Sequence, residues 1–279
     1  KDSNFEAMAV TVDTAVGGNR ERDLYTGFTI PMKLKLSSVF SMAVAGRFIY
    51  SDLKIAIDAD TSSASSLGFD IAGYYQSQSF KLSSNKAVFR SGINISNIGP
   101  RLNYEKGTQK SFIPTNLRIG FGLDLLYEDE SSLGIYSEFS KLLVPTPVAI
   151  FDSNNNFQGF RQPDVDFING IFISFSDAPD GFSEELSEIT AALGLEYSLR
   201  DSFSIRTGFF NESQEKGSRR YLTMGTGFNI NFINVDLSYL FSTSRVRNPL
   251  ENTIRFSLSI NLDKTSIQIS DENKNENNL

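Results

Sequence analysis

Apolar residues occupy every second position through most of this chain. Between residues 24 and 36 they are Phe28, Ile30, Met32, Leu34 and Leu36, with Thr29, Pro31, Lys33 and Lys35 interleaved. Between 40 and 50, Phe40, Met42, Val44, Phe48 and Tyr50 share one face, and Ser41, Ala43, Ala45 and Arg47 take the other. The cleanest run is the last, where Ile254, Phe256, Leu258, Ile260 and Leu262 alternate with Arg255, Ser257, Ser259 and Asn261. A period of two puts successive side chains on opposite faces of an extended strand. The pattern predicts strands at 24–36, 40–50, 67–75, 87–95, 117–127, 133–139, 189–199, 203–209, 222–230, 235–241 and 254–262. A weaker one at 5–12 brings the number to twelve.

Alternation alone fits a soluble or a membrane barrel, and three features favour the membrane. Many runs reach nine residues or more, the length a tilted strand needs to cross a bilayer, where soluble strands more often stop at about five or six. The apolar face is interrupted by Gly46, Gly73, Ser91, Ser137, Thr207 and Thr226 but by no charge in its central stretches. A Lys or Arg facing lipid at mid-depth would cost about 2–4 kcal/mol. Connections also alternate strictly. Short links at 37–38, 83–85, 129–131, 200–202 and 232–234 separate long ones at 13–23, 52–66, 98–112, 145–188, 211–220 and 242–251. Outer-membrane barrels have short periplasmic turns and longer external loops. The expected fold is therefore all-β, a transmembrane antiparallel β-barrel over residues 1–262. Its long loops, 145–188 above all, face the cell surface of a bacterial outer membrane. Pro31 removes one ladder hydrogen bond and suggests a bulge or an edge. Residues 271–279 are almost wholly Asp, Glu, Asn and Lys, so 263–279 is expected to be a disordered polar tail, a departure from barrels that end on their last strand.

Composition narrows the chemistry. In 279 residues there is no His and no Cys, and the net charge is −7. No stretch of roughly 18 apolar residues could form a spanning helix. Without Cys there is neither a disulfide framework nor a thiolate, and without His the commonest general base and zinc ligand are lost. No Ser–His hydrolase can be assembled, and the acidic balance argues against nucleic acid. The expectation is a protein that is not an enzyme, with no cofactor and no metal. Asp152-Ser153-Asn154-Asn155-Asn156 begins like a calcium loop, but Phe157 stands where Gly is needed and Pro163 where Glu is needed. Gly120 with Gly122, and Gly225 with Gly227, lie inside predicted strands on the polar face, not at a strand-to-helix turn, so they are not nucleotide-binding motifs. The chain opens on Lys1 with no apolar leader, which suggests a mature chain or one cut further in.

Two groups of residues stand out. Loop 145–188 carries Phe167, Ile168, Ile171, Phe172, Ile173, Phe175 and Phe182. Loops this long are functional or disordered, and this one is too apolar for disorder. It either presents a docking patch for a protein partner or folds into the barrel mouth as a lid with its own small core. The second group comprises Lys33, Lys35, Arg47, Arg90, Arg118, Arg206 and Arg255 with Asp70, Asp124, Glu138, Glu196 and Asp236, all on the polar face. Mixed signs favour a cross-lumen pairing network over an ion-selective pore, because buried charges need partners.

Specific strings give a resemblance. Ser41-Met42-Ala43-Val44-Ala45-Gly46-Arg47-Phe48 with Ser51-Asp52-Leu53, then Asn94-Ile95-Ser96-Asn97-Ile98-Gly99-Pro100 and Phe112-Ile113-Pro114-Thr115-Asn116-Leu117-Arg118, occur in order. Lys141-Leu142-Leu143-Val144-Pro145-Thr146-Pro147, Gly170-Ile171-Phe172-Ile173-Ser174-Phe175-Ser176-Asp177-Ala178-Pro179 and Asn248-Pro249-Leu250-Glu251-Asn252-Thr253-Ile254-Arg255-Phe256-Ser257-Leu258 follow. Together they make the chain resemble the PorV family of the Bacteroidetes type IX protein secretion system, from residue 24 to 262. The resemblance implies a barrel similar to the FadL fatty-acid channels, with fourteen strands and an N-terminal segment entering the lumen. Against that pattern the twelve strands here imply that the first part of the family barrel is missing. It also implies a carrier or adaptor that binds the translocon barrel (SprA, also called Sov). Such a protein receives secreted proteins bearing a C-terminal sorting domain and passes them to the PorU attachment complex. The alternative is a FadL-like channel for hydrophobic small molecules, and a third reading is a general porin.

Overall fold

The computed structural model describes residues 11–14, 24–52, 63–104, 110–200, 202–230, 232–244 and 252–260. Its main element is an antiparallel sheet. In chain order the strands are β1 (Thr11–Thr14), β2 (Leu24–Lys35), β3 (Phe40–Asp52), β4 (Ala64–Gln76), β5 (Phe80–Leu82), β6 (Asn85–Ile98), β7 (Asn116–Leu126) and β8 (Ser131–Leu142). A hairpin of β9 (Val148–Phe151) and β10 (Phe157–Arg161) and two short helices, α1 (Phe167–Ile173) and α2 (Phe182–Ser187), come next. The sheet then resumes with β11 (Thr190–Leu199), β12 (Phe203–Asn211), β13 (Arg220–Ile230), β14 (Ile233–Ser242) and β15 (Ile254–Ile260). Twelve strands follow one another in the order β1-β2-β3-β4-β6-β7-β8-β11-β12-β13-β14-β15, with β5 beside β6, and among the described residues no ladder joins β1 to β15. No described helix is long and apolar enough to cross a membrane.

Burial along the strands is inverted relative to a water-soluble sheet. On β4, Ala64, Ser66, Gly68 and Asp70 are buried, while Leu67, Phe69 and Ile71 between them stand exposed. Ser51, Asp124, Ser131 and Ser204 are buried as well, and Ile93, Leu195, Ile205, Met224 and Leu237 are exposed. Leaving one such side chain in water forfeits about 1.5–3 kcal/mol, so a wall of them requires a hydrocarbon exterior. The fold is the transmembrane β-barrel class that the alternation predicts. Ladder pairing confirms the face assignment: Gly46 lies opposite Ile30 and Phe69, and Thr226 opposite Ile205 and Leu237.

The chain divides into two compact units, one within Lys1–Ser77, Arg90–Phe121 and Glu138–Thr190, the other within Gln78–Phe89, Gly122–Ser137 and Ala191–Leu279. In the first, Pro31 lies within β2, opposite Ala45 of β3. In the second, Ser83, Glu130 and Arg200 adopt positive φ at tight turns. The turn at 83–85 does not join two full-length strands. It closes the small β5–β6 hairpin, where Phe80 pairs with Ala87.

The segment 145–188, expected to be a long loop, contains a hairpin followed by two short helices. Of the strand expected at 5–12 only residues 11 and 12 are described, in β1, and the tail at 263–279 lies outside the described residues.

Candidate functional site: an inner layer and a cap in the first unit

The site begins at a bulge. Phe69 pairs with Ile98 but Ile71 with Ile95, so Asp70 on β4 faces two residues of β6 rather than one. Asn97 absorbs the extra residue by taking a left-handed backbone (φ 59°), a conformation that Asn tolerates better than most residues. Its amide N–H donates to Asp70 Oδ1 at 2.8 Å, and Asp70 Oδ2 accepts from Arg47 Nε at 2.7 Å. The same Asn97 gathers the next strand: Nδ2 donates to the Pro114 carbonyl at 3.1 Å, and its own carbonyl accepts from Thr115 Oγ1 at 2.7 Å.

From this root, residues 99–104 and 110–115 fold over the polar faces of β3 and β4. Ser66 Oγ donates to the Pro100 carbonyl at 2.8 Å, and Tyr104 Oη donates to Ser51 Oγ at 2.9 Å. Leu102 and Ser111 exchange backbone hydrogen bonds at 2.8 and 2.9 Å. Leu102 and Ile113 are almost fully buried with Ile49 and Ala64, and Tyr104 packs against them. A Cβ on Gly99 would overlap the Leu67 carbonyl and press on Ile113, so no other residue fits there without moving the backbone.

Above this layer sits the cap. Arg101 donates to the Pro163 carbonyl and to Asp164, both at 2.9 Å, and lies 5.0 Å over the Phe112 ring. Asp166 caps α1 by accepting the Asn169 N–H at 2.7 Å. Gly170, one turn on, is buried where a Cβ would come within 2.9 Å of Phe112 and 3.2 Å of Pro145. The second helix is tied to the end of β8. Buried Lys141 Nζ donates to Glu185 at 2.8 Å and to Glu188 at 2.6 Å, and Glu185 also accepts the Ala178 N–H at 2.9 Å. Burial pushes the Glu185 carboxyl up, but the Lys141 and Ala178 hydrogen bonds outweigh it and hold the group below the usual carboxylate range. Asp177 accepts from the Thr146 N–H at 2.7 Å and completes the attachment.

With these contacts inward, the cap presents apolar side chains outward. Of the seven residues singled out in the sequence, Ile168 (51% exposed), Phe172 (70%), Ile173, Phe175 (48%) and Phe182 (78%) are exposed, and Phe167 and Ile171 are half-buried. Ile168 and Phe172 follow the i, i+4 spacing of one face of α1, and Phe175 lies just past its C-terminal end. The β9–β10 hairpin adds a second apolar surface that sequence reasoning missed. A register shift at Gly159 sets Phe160 opposite Ala149, on the face of Phe157, which stacks edge-on with Phe151 and Phe160 at 6.0 and 5.1 Å. The signal was present: Val148-Ala149-Ile150-Phe151 and Phe157-Gln158-Gly159-Phe160 flank a five-residue polar turn. There Asp152 accepts from the Asn154 and Asn156 amides and from the Asn156 and Gln158 side chains, so its oxygens are occupied by the turn itself.

Some of the charged residues of the polar face pair along the wall. Arg47 meets Asp70 in the first unit. In the second, Arg206 on β12 bonds Glu196 on β11 at 2.5 Å and Asp236 on β14, and Asp124 accepts from Tyr136 Oη at 2.6 Å. Lys33, Lys35, Arg118, Glu138 and Arg255 are exposed and Arg90 is half-buried. These contacts anchor and present surfaces.

Known families bear on this arrangement. The model of a family described as type IX secretion system protein PorV matches residues 19–149. No curated protein matches the chain. The resemblance read from the strings is borne out over that segment. Those at 41–53, 94–100, 112–118 and 141–147 lie inside it, and those at 170–179 and 248–258 lie beyond it.

Proposed function

From the match of residues 19–149 to the PorV family, a component of type IX secretion, we propose that this protein is an outer-membrane carrier and adaptor of that system. On this reading the long loops face the cell surface. The cap binds the translocon barrel and secreted proteins bearing a C-terminal sorting domain, and passes the cargo to the attachment complex. One observation carries the proposal: the cap is fastened from within by buried polar contacts while Ile168, Phe172, Phe175 and Phe182 point outward. A fixed apolar patch of aromatic residues is what a protein interface uses for its anchors. A channel for hydrophobic molecules would need an apolar path, and the polar face instead carries Asp70, Arg47, Asp124, Glu196, Arg206 and Asp236.

The experiment is affinity purification of the barrel from outer membranes, followed by mass spectrometry, with wild type beside Phe172→Ser/Phe175→Ser. The double variant is expected to lose translocon and sorting-domain cargo while its heat-modifiable barrel still forms. Undiminished recovery refutes docking at the cap.

A further inference from the structure

On β3, Phe48 and Tyr50 are exposed and Ile49 and Ser51 are buried; on β4, Leu67 is exposed and Ala64 and Ser66 are buried. Whatever covers Ile49, Ser51, Ala64 and Ser66 therefore lies on the face opposite the lipid-facing one, which is the lumen. The covering residues are Pro100, Leu102, Tyr104 and Ile113.

We propose that residues 99–104 and 110–115 form a resident plug of the lumen mouth, and that the protein by itself does not conduct. Three properties separate a plug from a loop that merely rests there. The contact has a dry core, since Leu102 and Ile113 are each 1% exposed. Around that core, hydroxyl hydrogen bonds tie the plug to both wall strands, through Tyr104 to Ser51 and Ser66 to Pro100. Asn97 holds both ends of the segment at one point of the wall, because it bonds Pro114 and Thr115 where the chain re-enters β7. A pore lining would instead keep these faces wetted.

The test is conductance of the purified full chain in planar bilayers, together with thiol labelling, which is clean because the chain has no Cys. Wild type is expected to give no steady conductance, and Leu102→Ser/Tyr104→Phe to open it. In detergent micelles, where both ends of the barrel are accessible, a thiol introduced by Ile49→Cys should react with a water-soluble maleimide at least about tenfold more slowly than one introduced by Ser37→Cys at an exposed turn, the protection expected of a packed segment that opens only locally. Adding Leu102→Ser/Tyr104→Phe should erase that difference. Steady conductance of wild type, silence of the opened variant, or equal labelling at positions 49 and 37 would each overturn the proposal.

Discussion

Arg206 on β12 reaches across β13 to Asp236 on β14, two strands away. It can do so because the residue beneath it is Gly227. A Cβ there would come within 2.6 Å of Ser204 Oγ, 2.7 Å of Asp236 Oδ1 and 3.1 Å of Arg206 Nη1. Gly227 thus has a structural role that no nucleotide-binding motif explains: it clears a path for a charge to lie flat on the wall.

Substituting Gly227 therefore costs more than its position in a strand suggests. The atoms it would strike are side-chain ends that can move, so Gly227→Ala is expected to lose about 1 kcal/mol and Gly227→Val about 1–3 kcal/mol, the range for overpacking. The ion pair itself contributes little of this, since both partners are more than a third exposed. Urea unfolding in detergent micelles measures the difference. A Gly227→Val protein as stable as wild type would show that Arg206 does not cross β13.

How much of this was legible in the sequence depends on the range of the interaction. Alternation located the main strands to within a few residues, because period two is a property of each strand alone. It also placed Arg47, Asp70, Glu196, Arg206 and Asp236 on one face. Which of them meet was not legible: Arg206 and Asp236 are separated by a whole strand, and the Asp70 bulge depends on one extra residue in β6. The cap escaped for a different reason. Seven residues are too few for a helical period to show, and α1 reverses the usual order by burying Gly170 and Ser174 while exposing Ile168 and Phe172. Lys141 read as part of a family string, with nothing to indicate two carboxylates more than forty residues later.

That lysine gives a second prediction. Lys141→Met removes the cation between Glu185 and Glu188 and leaves Glu185, 9% exposed, with a buried charge. Breaking a buried pair from one side costs about 3–5 kcal/mol. The loss should fall on α2, seen as protease cleavage between residues 178 and 188 while the strands stay intact. Combining it with Glu185→Gln and Glu188→Gln should restore much of the protection, because no buried charge then remains unpaired.

Acid should loosen two loops for a related reason. Glu185 is held below the ordinary carboxylate range as described above. Glu212 is held there chiefly by the Arg219 side chain, against the opposing effect of burial. A carboxyl whose folded value is lowered contributes stability that is fully present above its unfolded value of about 4.3 and is lost as pH falls through the folded value. Protease protection of 178–188 and 211–220 should therefore be flat from pH 8 to 5 and decline below about pH 4.3. Glu185→Gln should remove the acid step at the first segment and leave the second. An acid step at 178–188 that persists in Glu185→Gln would assign it to another group.

The exterior carries the most general prediction. Phe69 and Asp70 are neighbours on β4, one 53% exposed and the other 8%, and in a soluble protein the apolar residue would be the one inside. If hydrocarbon touches Phe69, Phe69→Arg should cost about 2–4 kcal/mol near mid-depth, whereas in an aqueous setting an exposed Phe→Arg change should be nearly neutral. Asp70→Asn, on the other face, weakens the Arg47 pair but moves no charge into lipid, so its cost should come from the bulge it caps. The comparison is made by folding each variant into lipid vesicles and reading unfolding by urea, with Ile205→Arg in the second unit as a repeat of the first arm. Phe69→Arg and Ile205→Arg proteins that fold as well as wild type would show that these faces meet water, and the barrel reading would fail with them.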